Sequence, residues 1–233
     1  MSYQESVKRF LSVLVKALLT LFVFSLSIVL IYKFVNPPVT PLMVVRAFEQ
    51  MGDDSREVRI RHDWVDYEEI PKSMIRAVIS SEDQRFTEHS GFDLKAIDKA
   101  MKFNKKYKGR KVRGASTISQ QTAKNVFLWP ARSWLRKALE VYFTLLIELF
   151  WSKERIMEVY LNVIEFGDGL YGIDAASNHY YKKGGSAMNR DQSAMLAACI
   201  PAPLSWSPVK PNKRVLRRKA FILRYMGKMQ IPE

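Results

Sequence analysis

The stretch from residue 10 to residue 35, FLSVLVKALLTLFVFSLSIVLIYKFV, constrains this chain more than any other, because its only charges are Lys16 and Lys33. About 20 consecutive apolar residues suffice to cross the hydrocarbon core of a bilayer as a helix. Residues 10–35 are therefore read as a membrane-spanning anchor behind a short N-terminus of residues 1–9. Lys16 lies near the N-terminal side, where its stem can carry the ammonium towards the head groups. A cleaved signal peptide is the rival reading. Such a peptide usually has an apolar core of about 7 to 15 residues followed by a small-residue cleavage site, whereas this run is longer and meets Asn36-Pro37-Pro38. Lys8, Arg9 and Lys16 stand at its start and Lys33 at its end, so the positive-inside rule favours a cytoplasmic N-terminus and an exported body.

Past the anchor, residues 36–70 read as a linker and irregular entry region, with Pro37, Pro38 and Pro41 discouraging an early helix. Residues 71–233 read as one mainly α domain. Pro71 followed by Ile75, Val78 and Ile79 predicts a helix running to about Ser81. Thr117 with Gln120 has the pattern of a capping box and opens a helix through Asn125. Ser152 before Ile156, Val159 and Tyr160 is another capped start. From Ala138 to Trp151 the chain is apolar on nearly every side, which suits a helix in the middle of the core. No run alternates convincingly at period two, and no internal repeat is visible.

The formal net charge of +14 calls for an anionic partner. Export disfavours nucleic acid and leaves lipid head groups or a phosphate-bearing substrate. Two segments concentrate that charge: residues 102–113 carry 7 cations and residues 209–228 carry 8, neither with an acid. Beside an anionic bilayer they would meet head groups or lipid-linked pyrophosphate, although a solvated basic face explains them equally. The single cysteine, Cys199, permits no internal disulfide.

Three stretches carry chemistry. In SEDQRFTEHSGFD, residues 81–93, Glu82 would close the helix from Pro71 and stand at the negative end of its dipole, a setting that suits a proton acceptor. A solvated turn, with Gly91 supplying a positive φ, explains the same residues. In GASTISQQTAKN, residues 114–125, helical spacing would align Ser116, Gln120 and Lys124 in a polar stripe ending in a cation. In RSWLRKALE, residues 132–140, Arg132 and Arg136 form a like-charge pair that an anion between them would relieve. Arg136 and Glu140 have the spacing of an ordinary helix salt bridge, which leaves Arg132 and Lys137 unexplained.

Together with KERIMEVYLN at 153–162 and FGDGLYGIDAASNHYY at 166–181, these blocks resemble the ordered motifs of family 51 glycosyltransferases. These are the peptidoglycan polymerases, found as one domain of bifunctional penicillin-binding proteins and as monofunctional enzymes. The resemblance covers roughly residues 37–210. It implies a lysozyme-like, two-lobed, mostly α domain with a membrane-facing apolar region. It implies lipid II and the growing lipid-linked glycan strand as substrates, membrane lipids and other cell-wall synthases as partners, and a periplasmic site on the inner membrane. Residue by residue, Glu82 resembles the catalytic base and Glu140 the second essential carboxylate. Lys124, Arg132, Arg136 and Lys137 resemble the pyrophosphate-facing cations, while Ser116, Thr117, Gln120, Gln121 and Asn125 match the motif that holds sugar and phosphate. Asp83, Phe86, His89 and Gly91 belong to the first motif and are assigned to substrate binding with it. One departure stands out: Gln192 lies where the family usually has an acid.

No cofactor is required by this reading. A divalent cation, Mg or Mn, could share the pyrophosphate, but His62, His89 and His179 are too scattered to be its ligands. Two other classes stay open at this point: a lysozyme-like enzyme that cuts glycans, since a cleft glutamate serves both directions, and a noncatalytic membrane-bound scaffold. SPVK at 207–210 matches the S-x-x-K of penicillin-binding enzymes but lacks its companion motifs.

Overall fold

A computed structural model of the chain describes residues 3–108, 110, 112–131 and 133–232. The chain falls into two compact units, Met1–Asn36 and Pro37–Glu233. The first is built on α1 (Tyr3–Tyr32), 30 residues long. At 1.5 Å per residue such a helix is about 45 Å long, against a hydrocarbon core of about 30 Å. Among the described residues it is the one helix long and apolar enough to cross a membrane.

The second unit carries α2 (Pro41–Met51), α3 (Lys72–Glu82), α4 (Leu94–Lys106), α5 (Ile118–Phe127), α6 (Trp134–Phe150), α7 (Lys153–Val163), α8 (Gly172–Tyr181), α9 (Arg190–Cys199) and α10 (Lys213–Tyr225). Local chemistry explains the starts. The capping box at the head of α5 forms as the sequence predicts, with Thr117 accepting from the Gln120 amide and the Gln120 side chain accepting from that of Thr117. Ser152 caps α7 by accepting from the Arg155 amide. Asn189 and Gln192 make the same reciprocal box at the head of α9. Glutamine serves that box as well as glutamate, so the departure at Gln192 costs the fold nothing there. The core lies along α7 and α9, whose residues Ile156–Met157, Val159–Val163 and Ser193–Cys199 are buried. Around them α3 packs on α9 and α10, and α5 on α6 and α7. Burial pushes the Cys199 thiol up to about 11, so it is an inert core residue.

Three expectations are corrected. Residues 37–70 belong to the compact second unit rather than to a linker. Pro41 occupies the first turn of α2, where its missing N–H is no loss. The stretch is stitched down by Arg46 on Glu165, by Arg56 and Gln50 on Asp168, and by the Asn162 side chain bonding both backbone groups of Val65 at 2.8 Å. Second, a small sheet exists, ordered β1-β3-β2, from β1 (Arg61–His62), β2 (Glu165–Gly167) and β3 (Leu170–Tyr171). Strands of two or three residues are too short to show alternation. Gly172, which closes it, has φ +78 and no room for a Cβ, which would stand 2.6 Å from the Asn162 carbonyl oxygen.

Third, α6 is not a mid-core helix. Only Glu140, Thr144 and Ile147 of α6 are buried, while Trp134 is 91% and Leu149 73% exposed, with Val141 and Leu145 on the same face. A contiguous row of large apolar side chains on the outside of a helix marks an interaction surface. By contrast Val126 and Leu128, at the end of α5, are buried, and Phe127 stacks on Phe143 at 4.5 Å.

Candidate active site

The stretch SEDQRFTEHSGFD resolves into a scaffold around one working carboxylate. Asp83 is buried and accepts from His89 Nε2 at 3.0 Å and from the Ile118 amide at 3.1 Å, tying the loop to the head of α5. Arg85 bonds Glu88 and Asp93, and Asp93 caps α4. Phe86 is 0% exposed, with the Lys153 ammonium 4.6 Å from its ring centroid. Gly91 has φ +85, lacks room for a Cβ beside Thr144, and its carbonyl accepts from Thr117 Oγ1 at 2.6 Å. Phe86, His89 and Gly91 are packed or bonded within this scaffold, and none of the three is among the residues lining the cleft at Glu82.

Glu82 is the last residue of α3, as predicted, and it lines a cleft of about 810 Å³ together with Ser116, Gln120, Gln121, Lys124 and Glu140. Its Oε2 accepts from Gln121 Nε2 at 3.3 Å, and Gln121 Oε1 accepts from the Tyr160 hydroxyl at 3.2 Å. Oε1 accepts from Ser81 Oγ at 2.8 Å and from Arg218 Nη2 at 3.1 Å. The carboxylate is held from α5 on one side and from α10 on the other. Tyr160 is fully buried, and burial pushes its phenol well above the ordinary range, so it stays a neutral donor.

The stripe on α5 is shorter than expected. Ser116 precedes the cap and lies outside the helix, while Thr117 and Gln120 are engaged in the capping box. All of them still line the cleft, but of the α5 residues only Gln121 and Lys124 do so without a role in the cap. Lys124 also lines an adjoining pocket of about 440 Å³, with Asn125 and Arg136. Its ammonium makes no hydrogen bond or ion pair among the described residues. Burial holds its pKa below the ordinary lysine value, against the pull of Glu140 and with the push of Arg136 and Lys137.

Glu140 is buried on α6 and takes both neighbouring cations, Arg136 Nη1 at 2.7 Å and Lys137 Nζ. The sequence left Lys137 unexplained; it is a second partner of Glu140. Arg132 lies outside the described residues. Glu140→Gln would leave the partly exposed Arg136 and Lys137 without their shared counter-charge. Losing these charge-assisted bonds is expected to cost about 1 to 3 kcal/mol, which thermal denaturation would register as a lowered Tm.

Residues 49–227 match the family model described as transglycosylase. The chain belongs to the transglycosylase family. It is 53% identical over 210 residues to the biosynthetic peptidoglycan transglycosylase of Bdellovibrio bacteriovorus, covering 90% of this chain and 83% of that one. Against the protein of the same name from Caulobacter vibrioides it is 50% identical over 199 residues, covering 85% and 83%. Against that of Bacteroides thetaiotaomicron it is 48% identical over 221 residues, covering 95% and 88%.

In this transglycosylase the structure brings together, in one cleft, the carboxylates and Lys124 that the motifs singled out, and adds Arg218 and Tyr160, which they did not. Arg218 was one of many cations in a basic run, and Tyr160 one apolar position of a helix. Only the fold brings them to Glu82. The three histidines keep structural roles: His62 donates to the Pro38 carbonyl at 3.2 Å, His89 pairs with Asp83, and His179 stands edge-on to Tyr180.

Proposed function

We propose that this transglycosylase polymerises lipid II into linear glycan strands by inverting glycosyl transfer, releasing the lipid-linked pyrophosphate. The observation that carries the reading is the asymmetry of the cleft: Glu82 faces it with one cation, Arg218, on a single oxygen, while Glu140 is locked between Arg136 and Lys137. A glycan-cutting enzyme needs one carboxyl to protonate the leaving group and a second to act as base or nucleophile. Glu140 already spends both oxygens on Arg136 and Lys137, so neither is free for a leaving group. A pyrophosphate leaves without protonation if its charge is neutralised, and a half-buried Lys124, without an ion pair among the described residues, supplies that.

In this reading Glu82 takes the proton from the 4-hydroxyl of the acceptor's N-acetylglucosamine. That oxygen attacks C1 of the donor's N-acetylmuramic acid opposite the pyrophosphate, turning an α bond into a β bond. A divalent cation, Mg or Mn, would enter with the pyrophosphate's own oxygens as its principal ligands. The cleft's acids are already engaged: Glu82 by Arg218, Asp83 by His89, Asp93 by Arg85, and Glu140 by Arg136 and Lys137. Incubating the purified protein with labelled lipid II should give a ladder of polymers on a gel. Products no longer than the starting disaccharide would overturn the assignment.

The same reading places α1 across the inner membrane with its N-terminus in the cytoplasm and the second unit in the periplasm. The exposed row Trp134, Val141, Leu145 and Leu149 would then dip into the outer leaflet, and neighbouring cations would meet its head groups. A chain starting at Pro37 should still float with anionic liposomes, more weakly than the full chain. Leu145→Glu with Leu149→Glu should send it to the unbound fraction; equal flotation of both truncated proteins would exclude α6 as the contact.

A further inference from the structure

A second cavity, of about 320 Å³, opens beside the cleft and is lined by Ser81, Arg214, Arg217, Arg218, Phe221 and Ile222. Ser81, Arg218 and Phe221 line the main cleft as well, so the two spaces adjoin, and Glu82, bonded to Ser81 and Arg218, stands at their shared wall. The three arginines stand in the first two turns of α10 with Lys213 and no acid among them. That placement is electrostatically unfavourable twice over. A helix N-terminus carries partial positive charge and prefers anions, and like charges three or four residues apart repel.

Elsewhere on α10 the cations pair where an acid is at hand: Lys219 Nζ meets Asp191 at 2.7 Å. Arg214 and Arg217 make no side-chain hydrogen bond or ion pair among the described residues. Arg218 spends one nitrogen on Ser81 and Glu82 and leaves its buried Nε without an acceptor. A guanidinium has five N–H donors, so Arg218 can hold Glu82 and a further anion together.

We propose that this cavity is a second anion subsite, on the acceptor side of Glu82. It takes an anionic group of the incoming lipid-linked disaccharide: a phosphate of its own lipid linkage or a carboxylate of its peptide. The inference rests on the polymerase reading given above and extends it. Glu82 divides the two sides. Its Oε2 is held by Gln121, on the helix that also carries Lys124, and its Oε1 by Arg218. The donor's leaving group is assigned to the Lys124 side, so the sugar whose hydroxyl is deprotonated approaches from the other. An anion seated on Arg214 and Arg217 would fix that sugar's distance from Glu82.

The test uses the full-length protein in neutral detergent, with Arg214→Gln/Arg217→Gln as the principal variant and Arg214→Lys/Arg217→Lys as its charge-retaining control. Both positions are exposed, so the fold tolerates the change. Titration with inorganic pyrophosphate should show two binding events in the wild type. The glutamine variant should lose one and Lys124→Ala the other. Equal pyrophosphate binding by the wild type and the glutamine variant overturns the subsite. In polymerisation the glutamine variant should raise KM for lipid II about tenfold with kcat little changed, as expected for the loss of charge-assisted bonds to one substrate. The lysine variant should recover part of that loss.

A KM defect that persists with a peptide-free lipid-linked disaccharide assigns the anion as phosphate. One that disappears assigns it as a peptide carboxylate. A defect present on anionic vesicles and absent in neutral detergent makes these arginines a membrane tether and overturns the proposal. The pyrophosphate titration does not depend on turnover. A wild-type protein that binds two pyrophosphates but builds no polymer refutes the polymerase reading and leaves the subsite standing.

Discussion

Replacing Glu82 with glutamine is expected to lower the polymerisation rate by about 10² to 10⁴, the usual worth of a general base, while leaving the fold nearly unchanged. The amide keeps the size of the carboxylate and can still accept from Gln121 Nε2 or Arg218 Nη2. What disappears is the capacity to take a proton. The side chain stands at the end of α3, where Ser81, Gln121 and Arg218 are its hydrogen-bond partners among the described residues. Thermal denaturation should therefore give a Tm close to wild type, in contrast to the drop expected for Glu140→Gln. Polymerisation of labelled lipid II measures the rate, and retention of more than about a tenth of wild-type turnover would be too much for a lost base. The pair of variants separates the two glutamates: one should lose activity with stability intact, the other should lose stability as well.

The legible parts of this chain were those whose signal is local. Caps at Thr117 and Ser152 are set by one side chain reaching one amide, so the starts of α5 and α7 lie in the sequence itself. Glu82 was placed at the end of its helix for the same reason. What could not be read depends on contacts between distant segments. Pro41 looked like a helix breaker, yet at the first turn it starts α2, because Arg46 and Gln50 then meet Glu165 and Asp168. Apolar residues all round α6 suggested the core, since periodicity cannot tell a protein interior from a lipid-facing surface. The carboxylates and cations of the motifs were visible as types, but their pairing was not. Lys137 is a partner of Glu140, Asp83 a tether for α5, and Arg218 an arm of α10 reaching back 136 positions to Glu82.

Lys124→Met is expected to cut kcat by about 10² to 10³, the cost of removing one preorganised charge stabiliser, while raising Tm or leaving it unchanged. A half-buried ammonium without a hydrogen-bond or ion-pair partner among the described residues is unfavourable to folding, and in the proposed reaction it stands where charge develops on the leaving group. Methionine has a similar length and removes the charge. The pH dependence gives an independent check. Burial holds the folded pKa of Lys124 below its unfolded value, so between the two the unfolded chain binds more protons and stability rises with pH. The penalty is complete below the folded pKa and fades as pH climbs to the ordinary lysine value. The Tm advantage of Lys124→Met over wild type should thus be largest at neutral and lower pH and shrink in alkali. If the ammonium acts mainly on the departing pyrophosphate, kcat falls more than KM rises, because the interaction strengthens as charge builds on the leaving oxygen. A variant with normal kcat in neutral detergent would reduce Lys124 to a lipid contact. A Tm well below wild type would show that the ammonium supports the fold instead of being held by it at a cost.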